Sequence, residues 1–398
     1  MFSSIDDGLK ALRNGKFVLV CDDSNRENEG DLIIAAEFVT PEKIAFMLKY
    51  TSGILCVPMT AQRLHELALP KMVKKNTDNF KTPFTVSVDA KEGVSTGISA
   101  SDRATTIKKL ILSDTQADDL VRPGHIFPLE ASPGGVLQRA GHTEATVDLC
   151  TLAKLYPAGV IGELMCEDGS VASGEKLFSF ASQHNVHIIN IEDLIAYRRE
   201  KEVLVVRGDT VQLPTAFGVF DLTTYTEKLT GKVHLALVKG FVEGDDPILV
   251  RAHSECLTGD VFFSKRCDCG EQLHKAMETI GKAGKGVIMY MRQEGRGIGL
   301  LEKVKAYNIQ DRGYDTVEAN TMLGFKDDLR QYGIGAQILR DLGLKNIILL
   351  TNNPRKIVGL DGHGLKVVDT MRISVDPNAC NVEYLRAKKD KMGHLLDV

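Results

Sequence analysis

With 398 residues, the chain is too long for one ordinary hydrophobic core, and a typical size of about 150 residues per domain predicts two or three domains. Its 49 basic and 53 acidic residues give a net charge of −4, which argues against binding nucleic acid by bulk electrostatics. No run approaches the roughly 20 apolar residues of a membrane span, and no apolar signal core is seen. We expect a cytoplasmic protein with no membrane partner, whose eight cysteines are thiols or metal ligands.

The first half of the chain alternates between short apolar runs and amphipathic stretches. A capped helix is predicted to begin after Ser3 or Ser4, because Asp6 or Asp7 follows three residues later. Strands are predicted at KFVLVC, LIIAAEFV, GILCVPM, FTVSVDA, GVIGELM and VHIINI, and helices at EKIAFMLKY, AQRLHELAL, ATTIKKLIL, EATVDLCTLAKL and KLFSFASQHN. This alternation predicts a layered α/β domain, but not the order in which its strands pair.

The second half repeats this alternation. The stretch IEDLIAYRREKEVLVVR is predicted to pass from a helix through a charged segment into a new strand, which places a domain boundary near residue 200. Further strands are predicted at VHLALVKG, PILVRAH, GVIMYM, NIILLTN and LKVVD, and helices at EQLHKAMETIGK, IGLLEKVKAYNI and LRQYGIGAQILRDLG. The predicted fold is mixed α/β (α+β), with two layered domains in tandem, residues 1–200 and 201–398, each a mixed sheet flanked by helices.

An acidic loop follows the first predicted strand. The stretch CDDSNRENEGD places carboxylates at Asp22, Asp23, Glu27, Glu29 and Asp31. A solvated turn tolerates such a run, because charged runs usually face water. The alternative is a site for a hard cation such as Mg²⁺, which takes carboxylate oxygens and water as ligands. The spacing alone favours neither interpretation.

A second polar group lies where a glycine-containing loop enters a predicted helix, at RAGHTEATVDL. Backbone N–H groups and the positive end of the helix dipole attract phosphate at such a place. A single histidine there is more often structural than a ligand, so His142 alone is weak evidence. His125 in RPGHIFPL and Glu163 in the apolar strand GVIGELM strengthen it, because a carboxylate on an apolar strand needs a partner or a function.

Six motifs of this half occur together and in order: RENEGD, TSGILC, STGISASDR, RPGHIFPL, RAGHTEAT and GVIGEL. Over about residues 1–200 the chain therefore resembles the 3,4-dihydroxy-2-butanone 4-phosphate synthase family. The resemblance implies conversion of ribulose 5-phosphate to that butanone phosphate and formate, with Mg²⁺ or Mn²⁺ bound by Glu27 and His142 and with His125 and Glu163 as catalytic residues. The implied substrate contacts are Arg26, Glu27, Asp31, Arg139, Ala140, Gly141, His142, Thr143 and Glu163.

Three cysteines of the second half, Cys256, Cys267 and Cys269, have the spacing C-x10-C-x-C. This differs from the paired C-x2-C of zinc ribbons and from the C-x-x-C of redox motifs. Chance clustering of buried thiols is not favoured, because KRCDCGEQ is polar. Three thiolates suit zinc, and three protein ligands with an open fourth position are typical of catalytic zinc. Since three thiolates weaken zinc as an acid, we expect a nearby cation such as Arg251 to offset their charge.

Two further stretches are typical of anion binding, although each is weak evidence alone. RQEGRGIGL predicts a strand that enters a glycine-rich loop, where Arg292 and Arg296 add positive charge. In LLTNNPRK, Asn353 is a predicted N-cap, with Pro354 at the first helical position and Lys356 in the first turn. The second stretch is either a phosphate site or simply a well-capped helix.

Together RAHSECLTGD, RCDCG, RQEGRGIGL, YDTVEAN and LLTNNPRK resemble GTP cyclohydrolase II over about residues 201–398. The resemblance implies hydrolysis of GTP to a diaminopyrimidine ribosyl phosphate, formate and pyrophosphate, with zinc held by the three cysteines and Tyr307 near it. It implies Asp328 as proton acceptor and Arg330 as nucleophile, although a guanidinium is always protonated and phosphate stabilisation is the alternative. The implied GTP contacts are Arg251, Ala252, His253, Ser254, Glu255, Gln272, Glu294, Gly295, Arg296, Thr316, Thr351 and Lys356.

We therefore predict a bifunctional, homodimeric enzyme of riboflavin biosynthesis. One alternative is a metal- and nucleotide-binding regulator in which one half has lost its chemistry. Another is a zinc-dependent nucleic-acid module. Every motif position is filled in both halves, which favours two activities. The missing fourth ligand and the negative net charge argue against a nucleic-acid partner.

Overall fold

The computed structural model describes residues 1–23, 26–325, 332–353, 365–373, 375–382, 385–386 and 389. The chain divides into two compact units, Met1–Lys201 and Glu202–Val398. Each contains a seven-stranded mixed sheet with helices packed against it, which confirms the predicted mixed α/β architecture. Within the described ranges, no helix is long and apolar enough to cross a membrane.

The helices of the first unit begin where the sequence supplies caps. The hydroxyl of Ser4 accepts a hydrogen bond from the N–H of Asp7, as predicted, and Thr40 caps the next helix in the same way. The elements are α1 (Ile5–Arg13), β1 (Val18–Cys21), β2 (Gly30–Ala35), α2 (Pro41–Tyr50), β3 (Cys56–Thr60), α3 (Ala61–Glu66), β4 (Val88–Ala90), α4 (Ala100–Ile111), β5 (Leu120–Ala131), α5 (His142–Leu152), β6 (Gly159–Glu163), α6 (Glu175–His184), β7 (His187–Asn190) and α7 (Ile191–Lys201).

The strand order in the first sheet is β4-β5-β3-β6-β2-β1-β7. Successive residues of the buried strand β2 point to opposite faces, so both faces need apolar cover. Ile33 packs in one cluster with Leu149 of α5, whereas Leu32 packs in another with Ile107 of α4. Helices therefore cover both faces of this sheet.

The sequence patterns did not predict β5. Its segment contains Pro123, Gly124 and Pro128, and proline disfavours the interior of a sheet because it lacks an N–H donor. The structure nevertheless places β5 between β4 and β3. A Cβ atom on Gly124 would overlap the backbone of Val88 and Asp89, so this glycine allows the two strands to approach.

We expect Gly124→Ala to destabilise the protein by about 1–3 kcal/mol, because the added methyl group meets backbone atoms that can give way only by moving β4. Chemical denaturation followed by circular dichroism measures the change. Gly8→Ala in α1 is the control, since its Cβ would meet Ile189 at an ordinary 3.4 Å and alanine is favoured over glycine within a helix. Equal stability of the two variants would contradict the prediction.

The second sheet has the strand order β14-β13-β11-β12-β10-β9-β8. Its elements are β8 (Val205–Thr215), β9 (Gly218–Glu227), β10 (Val233–Lys239), β11 (Ile248–Ser254), α8 (Leu257–Asp260), α9 (Cys269–Ala283), β12 (Gly286–Met291), α10 (Gly299–Gln310), α11 (Thr316–Met322), α12 (Tyr332–Asp341), β13 (Asn346–Leu350) and β14 (Lys366–Met371). Strands β12, β11, β13 and β14 pair in parallel, whereas β10, β9 and β8 are antiparallel. The carboxyl ends of β11, β12 and β13 therefore meet at one edge of the sheet.

Candidate active sites

The carboxylate of Asp22 closes the acidic loop between β1 and β2. The two oxygens of Asp22 accept hydrogen bonds from the backbone N–H groups of Glu27 and Glu29, both at 2.9 Å. The guanidinium of Arg26 bridges Asp22 at 3.0 Å and Glu27 at 2.9 Å. Carboxylates that would repel one another are thus held in a defined turn.

His142, the first residue of α5, faces this loop. Its Nε2 lies 3.1 Å from the carbonyl oxygen of Val20, and because a carbonyl only accepts, Nε2 carries a proton. Its Nδ1 lies 3.6 Å from Glu27 and 3.8 Å from Asp31. Burial alone would lower the pKa of His142, but the carboxylates of Asp31 and Glu27 outweigh it and raise the pKa to about 9. The position favours a positive charge, which a proton or a metal ion can supply.

Asp31 and Glu163 are direct neighbours across β2 and β6, so their side chains share one face of the sheet. Burial, opposed by the charge of His142, raises the pKa of Asp31 to about 7, and the carboxylate of Glu163 adds to the rise. Oδ1 of Asp31 is buried without a hydrogen-bond donor among the described residues. Glu163 accepts a hydrogen bond from the Ser52 hydroxyl at 2.6 Å. A buried acceptor that lacks a donor fits a site that a cation completes.

Asp22, Glu27 and His142 together could hold a metal ion, since each offers one ligand atom within 4.8 Å of the others. Carboxylate oxygens suit Mg²⁺ and Mn²⁺, and the proton on Nε2 leaves the Nδ1 lone pair of His142 for a metal. The acidic run in the sequence included Asp22 but did not distinguish it as a ligand from the four other carboxylates. Its position directly after a buried strand was the available signal.

Phe127 of β5 and Ile161 of β6 both pair with Cys56 of β3. His125 comes shortly before Phe127, and Glu163 comes shortly after Ile161 on the antiparallel strand, so both residues lie toward the same edge of the sheet. The carboxylate of Asp89 accepts hydrogen bonds from the backbone N–H of His125 at 2.9 Å and from its Nδ1 at 2.7 Å. This double contact fixes the ring and directs its proton to Nδ1. The second ring nitrogen is then an acceptor.

Two arginines converge on Phe80 beside the start of α5. Arg139 donates to the backbone carbonyl of Phe80 at 3.1 Å and to the buried carboxylate of Glu144 at 2.6 Å. The guanidinium of Arg26 stacks on the Phe80 ring, 5.4 Å from its centroid. The two guanidinium groups thus lie near the positive end of the α5 dipole, and each is also paired with a carboxylate. The predicted contacts Ala140, Gly141 and Thr143 occupy the same loop and first turn.

The second unit contains a pocket at the carboxyl ends of β11, β12 and β13, where ligands commonly bind in open α/β sheets. The structure brings together there the predicted residues Arg251, His253, Ser254, Glu255, Cys256, Cys267, Cys269, Gln272, Glu294, Gly295, Arg296, Tyr307, Thr316 and Thr351. Ala252 lies between them on β11 and is buried. The predicted residues Asp328, Arg330 and Lys356 lie outside the described residues.

The three cysteine sulfurs of this pocket lie within 4.8 Å of one another, and those of Cys256 and Cys267 are 3.7 Å apart. A Cβ atom on Gly259 would lie 2.9 Å from the Cys267 sulfur and 3.2 Å from the Cys256 sulfur, so a larger residue would crowd both sulfurs. Cys269 begins α9, and its hydrogen bonds with the Cys256 and Cys267 sulfurs, together with burial, raise its pKa in the absence of a metal. The sulfur set and the space around it fit zinc.

Lys303 is a buried cation in contact with this cluster. Its Nζ lies 3.1 Å from the Cys256 sulfur, 2.8 Å from Glu294 and 2.9 Å from the Thr258 hydroxyl. Hydrogen bonds from the other two thiols and the charge of Lys303 hold the pKa of Cys256 well below its usual range, although burial opposes this. The hydrogen bond to Cys256 raises the pKa of Cys267 to about 11. One thiolate is therefore favoured even before a metal binds.

Arg251 lies in the same pocket as the cysteines. It donates to the carbonyl oxygen of Leu350 at 2.9 Å and to the side-chain oxygen of Gln272. These contacts tie β11 to β13 and α9 along one wall of the pocket. A second cation, Lys303, which the sequence did not indicate, donates a hydrogen bond to the Cys256 sulfur.

Asp260 organises the loop that carries Cys256. Its carboxylate accepts hydrogen bonds from Nε2 of His253 at 3.1 Å, the Tyr290 hydroxyl at 2.9 Å and the Cys256 N–H at 2.9 Å. The buried carboxylate thus joins β11, β12 and the first cysteine. Asp260 is therefore a positioning residue. It belongs to the motif LTGD, but nothing in the sequence distinguished it from its neighbours.

The glycine-rich loop has two consecutive residues in the left-handed region, Gly295 at φ 62° and Arg296 at φ 60°. An arginine there costs roughly 1–2 kcal/mol, and such strain concentrates at binding sites. Nη1 of Arg296 is buried without a hydrogen-bond partner in the described part of the chain. The strained loop therefore presents a cation to the pocket.

Two known protein families match the chain, one in each half. The model for 3,4-dihydroxy-2-butanone 4-phosphate synthase matches residues 6–197, and the model for GTP cyclohydrolase II matches residues 206–372. Two similar relatives are each called riboflavin biosynthesis protein RibBA. The one from Aquifex aeolicus is 56% identical over 99% of this chain and 98% of its own length. The one from Bacillus cereus is 55% identical over the full length of both.

Among solved structures, RibBX from A. baumannii, a two-domain 3,4-dihydroxy-2-butanone 4-phosphate synthase, aligns with a TM-score of 0.70. It is 36% identical and covers 94% of this chain and 100% of its own. The two family matches define a bifunctional enzyme with a synthase domain followed by a cyclohydrolase domain. The chain belongs to the RibBA family of riboflavin biosynthesis proteins.

Proposed function

We propose that each domain uses its own metal-binding cluster for its own reaction. The first domain converts D-ribulose 5-phosphate to 3,4-dihydroxy-2-butanone 4-phosphate and formate. The second hydrolyses GTP to 2,5-diamino-6-(5-phosphoribosylamino)pyrimidin-4-one, formate and pyrophosphate. The observation that carries the proposal is the pair of candidate metal sites, one of carboxylates and imidazole and one of three cysteines. Hard oxygen ligands favour Mg²⁺ or Mn²⁺, whereas thiolates favour zinc.

In the first site, Glu27 and His142 are the proposed metal ligands, and Asp22 holds the loop that carries Glu27. A divalent ion held by Glu27 and His142 would supply a Lewis acid for the ketone and hydroxyl oxygens of the sugar, which would make the neighbouring C–H more acidic. Asp31 and Glu163 lie side by side as candidate proton acceptors.

The other proposed roles in this site follow from the contacts at its rim. His125, fixed by Asp89, offers its second ring nitrogen to a proton of the substrate. Arg26, Arg139 and the N–H groups at Thr143 bind the phosphate, because they lie at the positive end of α5.

In the second site, Cys256, Cys267 and Cys269 are the proposed zinc ligands. Zinc with three protein ligands supplies an activated water for hydrolysis. The walls of the pocket bind GTP through Arg251 to Glu255, Gln272, Glu294 to Arg296, Thr316 and Thr351, with Tyr307 near the cluster. We also assign Asp328 to proton transfer, Arg330 to the α-phosphate and Lys356 to the phosphates, on the resemblance alone.

We propose further that the activities divide at residues 1–200 and 201–398, and that the enzyme is a cytoplasmic homodimer. The family matches at 6–197 and 206–372 support the division. The cytoplasmic location is supported by the substrates, which are metabolites of central pathways. The homodimer rests on the family resemblance.

Selective restoration of metal tests the proposed function. We expect chelator-treated protein given Mg²⁺ alone to release formate from ribulose 5-phosphate but not from GTP, because carboxylates and thiolates prefer different metals. Adding zinc as well should restore both activities. Formate from each substrate is measured separately. Release of formate from GTP with Mg²⁺ alone would contradict the assignment of the cysteine cluster.

A further inference from the structure

Lys303 is a buried lysine whose three ammonium hydrogens all have partners. It is 8% exposed, and its Nζ donates to the Cys256 sulfur, the Thr258 hydroxyl and Glu294. An ammonium offers three donors, so this geometry is complete. A lysine on a helix usually keeps its charge in water, and burying that charge is costly unless it is paired. The interactions of Lys303 at the cysteine cluster therefore compensate for the burial of its charge.

Glu294 keeps this lysine charged without taking it away from the sulfur. Oε1 of Glu294 contacts Lys303 at 2.8 Å, while Oε2 accepts the N–H of Leu257 at 2.6 Å. The carboxylate is thus anchored to the residue next to Cys256, and the ammonium is held between carboxylate and sulfur. Both carboxylate oxygens are in use, so Glu294 serves the cysteine loop as well as the pocket.

Three thiolates around one Zn²⁺ leave a net charge of −1 in a largely buried site. A positive charge at hydrogen-bond distance from one sulfur offsets this net negative charge and withdraws electron density from that sulfur. Hydrogen-bonded partners of metal ligands typically tune metal affinity and acidity in this way. We propose that Lys303 is a positioning residue of the zinc site and that it compensates the thiolate charge through its hydrogen bond to Cys256. This inference rests on the proposed function.

A purely structural role is the competing explanation, since Lys303 also joins α10 to Thr258 and Glu294. The two roles differ in what they predict for the metal. A structural link would affect the stability of the cysteine loop, and through it zinc affinity, but not the electronic state of the sulfur. Charge compensation affects the strength of zinc binding and the electronic state of the sulfur, and both can be measured without turnover.

The test uses the full-length wild type, Lys303→Met and Lys303→Arg, with Lys305→Met as control, because Lys305 is exposed and pairs with Glu302 at 2.8 Å on the surface of the same helix. Zinc affinity is measured by competition with a chromogenic chelator. We expect Lys303→Met to lose about 10- to 100-fold in affinity. In the cobalt-substituted protein, the sulfur-to-cobalt charge-transfer band should move to longer wavelength, because an unbonded thiolate gives up electrons more easily. Lys303→Arg should restore both properties in part.

Wild-type affinity and an unshifted band in Lys303→Met would overturn the inference. If that variant does not fold, Glu294→Gln carries the test. It removes the counter-charge and leaves the ammonium, so the band should move to shorter wavelength, and no shift or the opposite shift would overturn the inference. Failure of wild type to bind zinc or cobalt would instead refute the proposed function, which keeps the two failures distinct.

Discussion

Replacing Cys267 with serine is expected to release zinc and abolish formate production from GTP, while formate production from ribulose 5-phosphate continues. The Cys267 sulfur lies 3.7 Å from that of Cys256, and a serine hydroxyl is a much poorer zinc ligand than a thiolate. Activity on GTP should fall by more than about 100-fold, because the loss of a mere hydrogen-bonded partner of a metal ligand already costs up to roughly that factor. Metal analysis and separate formate assays measure the result.

Cys380→Ser is the matched control, because Cys380 is an exposed cysteine of the same half. It should keep both zinc and activity. Retention of a full complement of zinc by the Cys267 variant would refute its assignment as a ligand. Loss of both activities would argue against two independent sites.

The opposite selectivity is expected at the first site. His142→Ala should abolish formate release from ribulose 5-phosphate and leave GTP hydrolysis intact, because it removes the imidazole that faces Glu27 and Asp31. The fall should again exceed about 100-fold. Since His142 is buried, Glu27→Gln provides a second variant that preserves side-chain size while it weakens the metal ligand. Its activity is measured across a Mg²⁺ titration.

His65→Ala is the control for the first site, because His65 is an exposed histidine of the same domain. Both variants of the site should retain activity on GTP at the level of this control. Full activity of Glu27→Gln on ribulose 5-phosphate at low Mg²⁺ would contradict its role as a ligand.

Local signals in the sequence predicted much of the fold. The cap at Ser4 and the apolar strands depend on neighbours a few residues away, so they are visible in the sequence. The strand β5 was missed because its prolines and glycine disfavour a strand locally, and its place in the sheet depends on close contact with β4. Strand order was likewise unpredictable, since it is set by contacts between distant segments.

The residues of the candidate sites were likewise predictable only in part from the sequence. The cysteine spacing and the acidic run were visible in the sequence, and the family resemblance assigned roles to them. Lys303 was not visible, because GLLEKVKAY reads as an ordinary helix and Cys256 lies 47 positions earlier in the chain. Asp22 was hidden among similar acidic residues, and only the structure shows which backbone groups it binds.

Gly259 offers a diagnostic for other chains of this architecture. A Cβ atom at this position would lie 2.9 Å from one of the three sulfurs and 3.2 Å from another, so a larger residue would force the cysteine side chains to shift. A relative that keeps all three cysteines but has lost this glycine should therefore bind zinc less tightly. The glycine is a marker to be read together with the three cysteines, and it can be checked in any sequence before an enzyme is purified.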